Sequence, residues 1–193
     1  MKAFTRCTAT AAVLDRADVD TDQIMPKQFL KRIERTGYGE FLFFDWAKDP
    51  EFELRRPEYA GARILIAGRN FGCGSSREHA AWALQDYGFD VVIAPSFGDI
   101  FRQNSLNIGL VPVQVEEARE LVAYGGQELT VDLETMEIRT PDGRVIPFTL
   151  GEHERHCIME GLDEIALTLR HEDEIAAYEE RTAAPIDTLA LLR

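Results

Sequence analysis

Residues 68–80, GRNFGCGSSREHA, place three glycines, two serines, two arginines and a histidine between two apolar segments. Gly72 and Gly74 let the backbone turn sharply and present successive N–H groups. Ser75 is suited to cap the helix that follows, and the helix N-terminus adds partial positive charge. Arg77 adds a forked donor that matches a carboxylate. Together these residues describe a site for a small anion. Three rival motifs fail. A phosphate-binding P-loop needs a lysine before its Ser or Thr, and none is present. A dinucleotide fingerprint needs a third glycine where Arg77 stands. The hydrolase elbow G-x-S-x-G is absent. The residues alone leave two readings open: an anion site that does chemistry, and a capped helix after a tight turn.

Other residues with chemical potential are scattered. Cys7, Cys73 and Cys157 are far apart, and no CxxC occurs. They read as reduced, buried thiols of a cytosolic protein, not as ligands of a zinc ion or a complete iron–sulfur cluster. His79 either braces the glycine loop or packs as a structural histidine. His153 and His156 have a spacing that a metal could use, yet lack a further ligand and read as a solvated helix face. Asp20 and Asp22 read as loop-ordering carboxylates, and Asn104 and Asn107 as braces of a turn beside the site. No metal site is expected in this chain.

The elements that must position these groups follow from pattern. Residues 4–14 read as a strand. Residues 15–39 form a polar connection too long to be a simple turn, and long connections in compact domains are usually functional. Its apolar residues Ile24, Met25, Phe29, Leu30 and Ile33 predict an ordered loop with a short helical piece. FLFFDW is an aromatic cluster and EFELRRPEYAG a polar excursion. ARILIAG, VVIA and LVPVQV are short apolar runs that suit buried parallel strands. Between them, Ala80, Ala83, Leu84 and Tyr87 fall at helical spacing with Gly88 as the stop, and SFGDIFRQNSLNIG is a second helix. ELTVDL, MEIRT and RVIPFTL, with a PDG turn, predict an antiparallel meander. Helices close the chain, and TAAPIDTLALLR is a tail or an interface strap. The expected class is α/β: a parallel core sheet, flanking helices and an additional antiparallel β segment.

Composition narrows the function classes. Among 193 residues, 45% are hydrophobic and 28% charged, enough for a core without disulfides. No apolar run approaches the about 18 residues that span a bilayer. Asp15 and Asp18 come too early for a secretory signal, so a cytoplasmic location is expected. The net charge of −13 argues against nucleic acid as partner. Residues 1–115 carry 15 acids and 14 bases, whereas residues 116–193 carry 19 acids and 7 bases. A small anion is therefore received in the N-terminal half, which holds Lys27, Lys31, Arg32, Arg35, Arg69 and Arg77.

GRNFGCGSSREHA resembles the signature of the swivelling β/β/α domain of the aconitase family, and DTDQIMPKQFL and IAPSFGDIFRQNSLNIGLVPV resemble two further stretches of it. With the EHERHCIMEGLDEIALTLRHEDEIAAYE ending, residues 1–180 are similar to the small subunits of bacterial 3-isopropylmalate dehydratases; residues 181–193 stand apart as a C-terminal tail. GSSREH is the specific part, and DTD alone is weak. The resemblance implies an isomerase of leucine biosynthesis that dehydrates and rehydrates a small dicarboxylate, 2-isopropylmalate. It implies a [4Fe–4S] cluster held by a large partner subunit, none being bound by this chain. It assigns Ser75 as the base, Ser76 and Arg77 to substrate binding, and the loop residues Phe29, Leu30, Lys31, Arg32 and Ile33 to the substrate's variable group. Phe29, Leu30 or Ile33 would suit an isopropyl group, and Lys31 or Arg32 a third carboxylate. Related citraconate/methylmalate or homoaconitate chemistry, and a stand-alone anion-binding module without catalysis, are the alternatives.

Overall fold

The computed structural model describes residues 1–31, 34 and 36–182. Arg32, Ile33, Arg35 and residues 183–193, nearly all of the expected tail, lie outside the described residues.

Seven strands occur among the described residues: β1 (Arg6–Leu14), β2 (Ile64–Ala67), β3 (Val91–Ala94), β4 (Val111–Gln114), β5 (Glu128–Asp132), β6 (Glu137–Arg139) and β7 (Val145–Pro147). They run in the order β4-β3-β2-β1-β5-β6-β7. β1 joins two regimes. Its first half, residues 6–10, pairs antiparallel with β5, and its second half, residues 11–14, pairs parallel with β2. The burial pattern changes where the pairing does. Arg6 and Thr8 face solvent between buried Cys7 and Ala9, whereas residues 11–14 are all buried. A strand covered on both faces must be apolar throughout, while one with a wet face can alternate. Thr8 and Thr130 share a 2.8 Å hydroxyl–hydroxyl hydrogen bond on that wet face. The expected parallel core and antiparallel segment are therefore one sheet, with β1 as the hinge strand. Pro112 lies in the edge strand β4, where its missing N–H costs no interior ladder bond.

Seven α-helices are described: α1 (Thr21–Ile24), α2 (Glu78–Tyr87), α3 (Asp99–Ile108), α4 (Ala118–Leu121), α5 (Glu152–Glu160), α6 (Glu164–Leu169) and α7 (Glu172–Arg181). α2 buries Ala80, Ala81, Ala83 and Leu84 and ends at Gly88, whose φ of 123° suits glycine. Tyr87 departs from the expected stripe. It is 50% exposed, and its ring stacks on Phe89 at the helix end. α3 ends at Gly109 in the left-handed region. α4 had no counterpart in the expected pattern because it is a single turn. α6 and α7 bury no residue at all.

The long connection is more ordered than its polarity suggests. Asp20 caps α1 with a reciprocal capping box: its carboxylate accepts from Gln23 N at 2.8 Å, and Asp20 N donates to Gln23 Oε1 at 2.9 Å. A 3₁₀ turn follows at Lys27–Phe29. Residues 51–61 are not a polar excursion. They form two 3₁₀ turns that bury Phe52, Leu54 and Tyr59. Arg16 fastens them, with its guanidinium 4.4 Å from the Trp46 ring centroid and bidentate to Glu53 at 2.9 Å.

Candidate active site

β1, β2 and β3 run parallel, so their C-terminal ends lie on one edge of the sheet. Loops leaving that edge are where open α/β sheets bind ligands. The glycine loop after β2 is stapled between the other two. Asp18 N donates to Arg69 O at 2.9 Å, Gly72 N to Val19 O at 2.7 Å, and Thr21 N to Cys73 O at 2.9 Å. On the far side Phe71 N donates to Ser96 O at 3.0 Å and Gly98 N to Phe71 O at 2.9 Å.

This close approach explains the glycines. Gly72 has φ +74°, and a Cβ there would lie 2.1 Å from the Phe101 ring. A Cβ on Gly98 would lie 2.6 Å from the Gly72 carbonyl oxygen. Gly72→Ala should therefore destabilise the fold by about 2–5 kcal/mol, the sum of left-handed strain and a core clash. Urea unfolding checks this, and a shift within error would deny the clash. Asp18 and Asn70, both at φ 57°, face each other across the junction. Asp18 Oδ1 accepts from Asn70 Nδ2 at 2.9 Å, and Asp18 Oδ2 from Arg69 at 3.1 Å. Asp and Asn tolerate this conformation better than other side chains with a Cβ.

Ser75 and Ser76 are exposed at the crest of the loop. Ser75 is not the helix cap. α2 begins at Glu78 with Arg77 in the capping position, and no side chain caps it. The reason is local: Arg77 N donates to Ser75 O at 2.8 Å, which holds Ser75 and Ser76 in a turn ahead of the helix. The Ser75 hydroxyl is thereby left free of the backbone it was expected to satisfy. Its Oγ lies 3.2 Å from the Oγ1 of Thr21. Arg77 is largely buried, and its Nη1 forms an ion pair with the half-exposed carboxylate of Asp22.

The DTD stretch therefore divides its work. Asp20 orders α1, Thr21 reaches Ser75, and Asp22 holds Arg77. Sequence reasoning treated the aspartates as loop-ordering and missed Thr21 and the partner of Arg77. The available signal was a run of acids at positions 18, 20 and 22 set against arginines at 69 and 77.

The remaining candidates fall as follows. Cys73 is partly exposed rather than buried; burial first, then the charges of Asp20 and Asp18, push its pKa up, so it stays a thiol. His79 packs its ring edge-on to Tyr38 at 5.2 Å and against Trp82 at 4.6 Å. Desolvation lowers its pKa, opposed by Glu78 and aided by Arg77, which favours the neutral imidazole. Phe29 stacks on Phe41 at 4.2 Å and meets Phe44 edge-on at 4.8 Å. Leu30 is partly buried and Lys31 exposed at the end of the same turn. Asn104 and Asn107 lie inside α3 and brace no turn; Asn107 Oδ1 accepts from Gln103 within the helix at 2.9 Å. His153 and His156 are exposed on α5, with His153 Nε2 3.6 Å from Cys157 Sγ.

Among the described residues no group of three or more His, Cys, Asp or Glu side chains converges as metal ligands. Cys7 lies on β1, Cys73 in the glycine loop and Cys157 on α5. No described helix is long and apolar enough to cross a membrane.

Comparison with known proteins agrees with this architecture. The aconitase C-terminal domain family matches residues 1–118. LeuD_N matches residues 118–152, and the C-terminal domain of the 3-isopropylmalate dehydratase small subunit matches residues 164–184. The chain is 54% identical to the 3-isopropylmalate dehydratase small subunit of Bacillus pumilus, over 90% of this chain and 93% of that one. It is 55% identical to that of Bacillus subtilis, over 92% and 94%. It is 49% identical to that of Neisseria meningitidis serogroup B, over 94% and 95%. The solved 3-isopropylmalate dehydratase (leuD) of Methanocaldococcus jannaschii superposes with a TM-score of 0.69 at 27% identity, covering 90% of this chain and 99% of that one. A sheet hinged on β1, a glycine loop crowned by Ser75 and half-identity along nine-tenths of the length converge on one assignment: the chain belongs to the family of 3-isopropylmalate dehydratase small subunits, within the aconitase C-terminal domain family.

Proposed function

We propose that the chain is the small subunit of a cytoplasmic, heteromeric 3-isopropylmalate dehydratase of leucine biosynthesis. It interconverts 2-isopropylmalate and 3-isopropylmalate with a large subunit, through residues 1–180. The observation that carries this reading is the exposed Ser75 hydroxyl beside Arg77, at the ligand-binding edge of the sheet, in a chain so similar to curated small subunits.

The proton to be removed lies on a carbon next to a carboxylate and is a very weak acid. Serine is also a weak base, so Ser75 must work as an alkoxide held by nearby donors and positive charge. Ser75 and Ser76 stand just ahead of the first turn of α2, whose unpaired N–H groups supply part of that charge. Arg77 takes the substrate carboxylate. The Asp22 partner that it releases is half exposed, so water can take up that carboxylate when the substrate carboxylate replaces it. A [4Fe–4S] cluster on the large subunit would supply Lewis-acid chemistry towards the departing hydroxyl. Ser75 and Ser76 are open to solvent here, and the large subunit would close over them.

Substrate selection falls to the turn at Lys27–Phe29 and the residues after it. Phe29 is locked beneath Phe41 and Phe44 and forms a platform. Leu30 is the residue offered to the alkyl branch, with Lys31 beside it and Arg32 and Ile33 further on. Leu30→Ala should lower the preference for isopropylmalate over methylmalate by about tenfold or more, since contacts of methyl size are worth about 1–3 kcal/mol. The ratio of the two specificity constants reads this. An unchanged ratio would place alkyl recognition at Phe29, Ile33 or the large subunit.

The reading as a whole is tested by co-expression with a large subunit and an anaerobic assay on 2-isopropylmalate. The two chains should co-purify and isomerise it. A stable pair with no dehydratase activity towards any malate derivative would defeat the reading in favour of a non-catalytic anion-binding module.

A further inference from the structure

We propose that Thr21 is a positioning residue for the reaction, its buried hydroxyl turning from the Ser75 carbonyl to the Ser75 Oγ as that oxygen loses its proton. This rests on the reading of Ser75 as the base.

Thr21 is 1% exposed, in a segment that is otherwise half open to solvent. Its backbone is fixed from two sides: Thr21 N donates to Cys73 O at 2.9 Å, and the Asp20 capping box pins the start of α1. Its Oγ1 donates to Ser75 O at 3.0 Å and lies 3.2 Å from Ser75 Oγ. Among the described residues, Thr21 is the one side chain within hydrogen-bond distance of that Oγ.

A threonine hydroxyl has one proton and two lone pairs. While Ser75 is protonated both contacts are satisfied: Thr21 donates to the Ser75 carbonyl, and Ser75 donates to Thr21 Oγ1. Once Ser75 is an alkoxide, that arrangement leaves a negative oxygen facing a lone pair. Rotation of one hydroxyl hydrogen corrects this without moving a heavy atom. Thr21 then donates to the alkoxide in a charge-assisted bond, and the Ser75 carbonyl keeps the N–H of Arg77 at 2.8 Å. The hydroxyl stays protonated throughout. Burial strengthens the bond, because no water competes for Thr21 Oγ1.

Among the described residues, the charged and titratable groups on the segments that carry and contact Ser75 include Asp18, Asp20 and Asp22 from the β1–α1 segment, Arg69, Cys73 and Arg77 from its own loop, and Glu78 and His79 from the first turn of α2. All remain in the variants below, so any displacement of a pH profile reports Thr21.

The test uses the assembled two-subunit enzyme under anaerobic conditions. Thr21→Val removes the hydroxyl and keeps the shape. It should lower kcat by about 10²-fold, the scale of one lost oxyanion donor, with KM unchanged. Because the alkoxide loses a donor, its formation moves to higher pH, and the rising limb of the kcat profile should move up with it. Thr21→Ser should restore both rate and profile, and Thr21→Ala gives the same reading if valine is not accommodated. Wild-type kcat in Thr21→Val, or a loss that raises KM and leaves the profile in place, would overturn the proposal. The two readings separate cleanly. Full turnover in Ser75→Ala defeats the base assignment and this proposal with it, whereas an inactive Ser75→Ala beside a fully active Thr21→Val defeats Thr21 alone.

Discussion

Ser75→Ala is expected to lower kcat of the assembled enzyme by at least about 10²–10⁴-fold, the usual contribution of a positioned base. Assembly and substrate affinity should stay near wild type. The side chain is exposed and its backbone bonds do not involve the hydroxyl, so its removal leaves no buried group unpaired. Thr21 keeps its bond to the Ser75 carbonyl, which alanine also has. A stability effect is therefore not expected, and a loss of rate reports chemistry. Steady-state kinetics with a gel-filtration control reads both quantities. Near-normal kcat would remove Ser75 from the mechanism.

Arg77→Lys is the second large effect, and it should appear chiefly in KM. The guanidinium presents two parallel donors to a carboxylate, whereas an ammonium is a point charge that cannot reproduce the fork. A lost hydrogen bond to a charged group is worth about 1.5–3 kcal/mol, so KM should rise roughly 10–100-fold. Arg77 is held at its base, where its N–H donates to Ser75 O and its carbonyl accepts from Ala80 N at 3.3 Å. The substitution therefore leaves the Ser75 turn in place, and kcat should change less than KM. An equal fall in kcat with KM constant would mean that Arg77 acts only in the transition state.

Much of this was legible in the residues. The three apolar runs of β2, β3 and β4 signal burial on both faces, and the glycines at 88 and 109 end their helices where expected. The glycine loop was legible as a tight turn between a buried strand and a helix, and its residue types left an anion site and a capped helix as open readings. What stayed hidden has physical causes. β1 reads as one strand, yet it pairs with different partners in its two halves, and no local pattern reports pairing. Residues 51–61 look polar because charged side chains alternate with Phe52, Leu54 and Tyr59, and 3₁₀ turns have no long period to detect. Ser75 matched the preference of a capping residue, but the Arg77 N–H takes its carbonyl and delays the helix by two residues. The contacts of Thr21 and Asp22 with the loop cross more than fifty residues of chain. Spacing along the sequence does not encode such contacts.

We propose that this chain completes a site which neither subunit has alone. The direct measurement is a titration: the chain is added anaerobically to a fixed amount of cluster-loaded large subunit, and turnover of 2-isopropylmalate is followed. Turnover should be absent without the chain, rise with each addition and saturate at a fixed ratio. Ser75→Ala should compete for the same sites while adding no activity. Turnover by the large subunit alone, or activity that does not respond to the chain, would contradict the account.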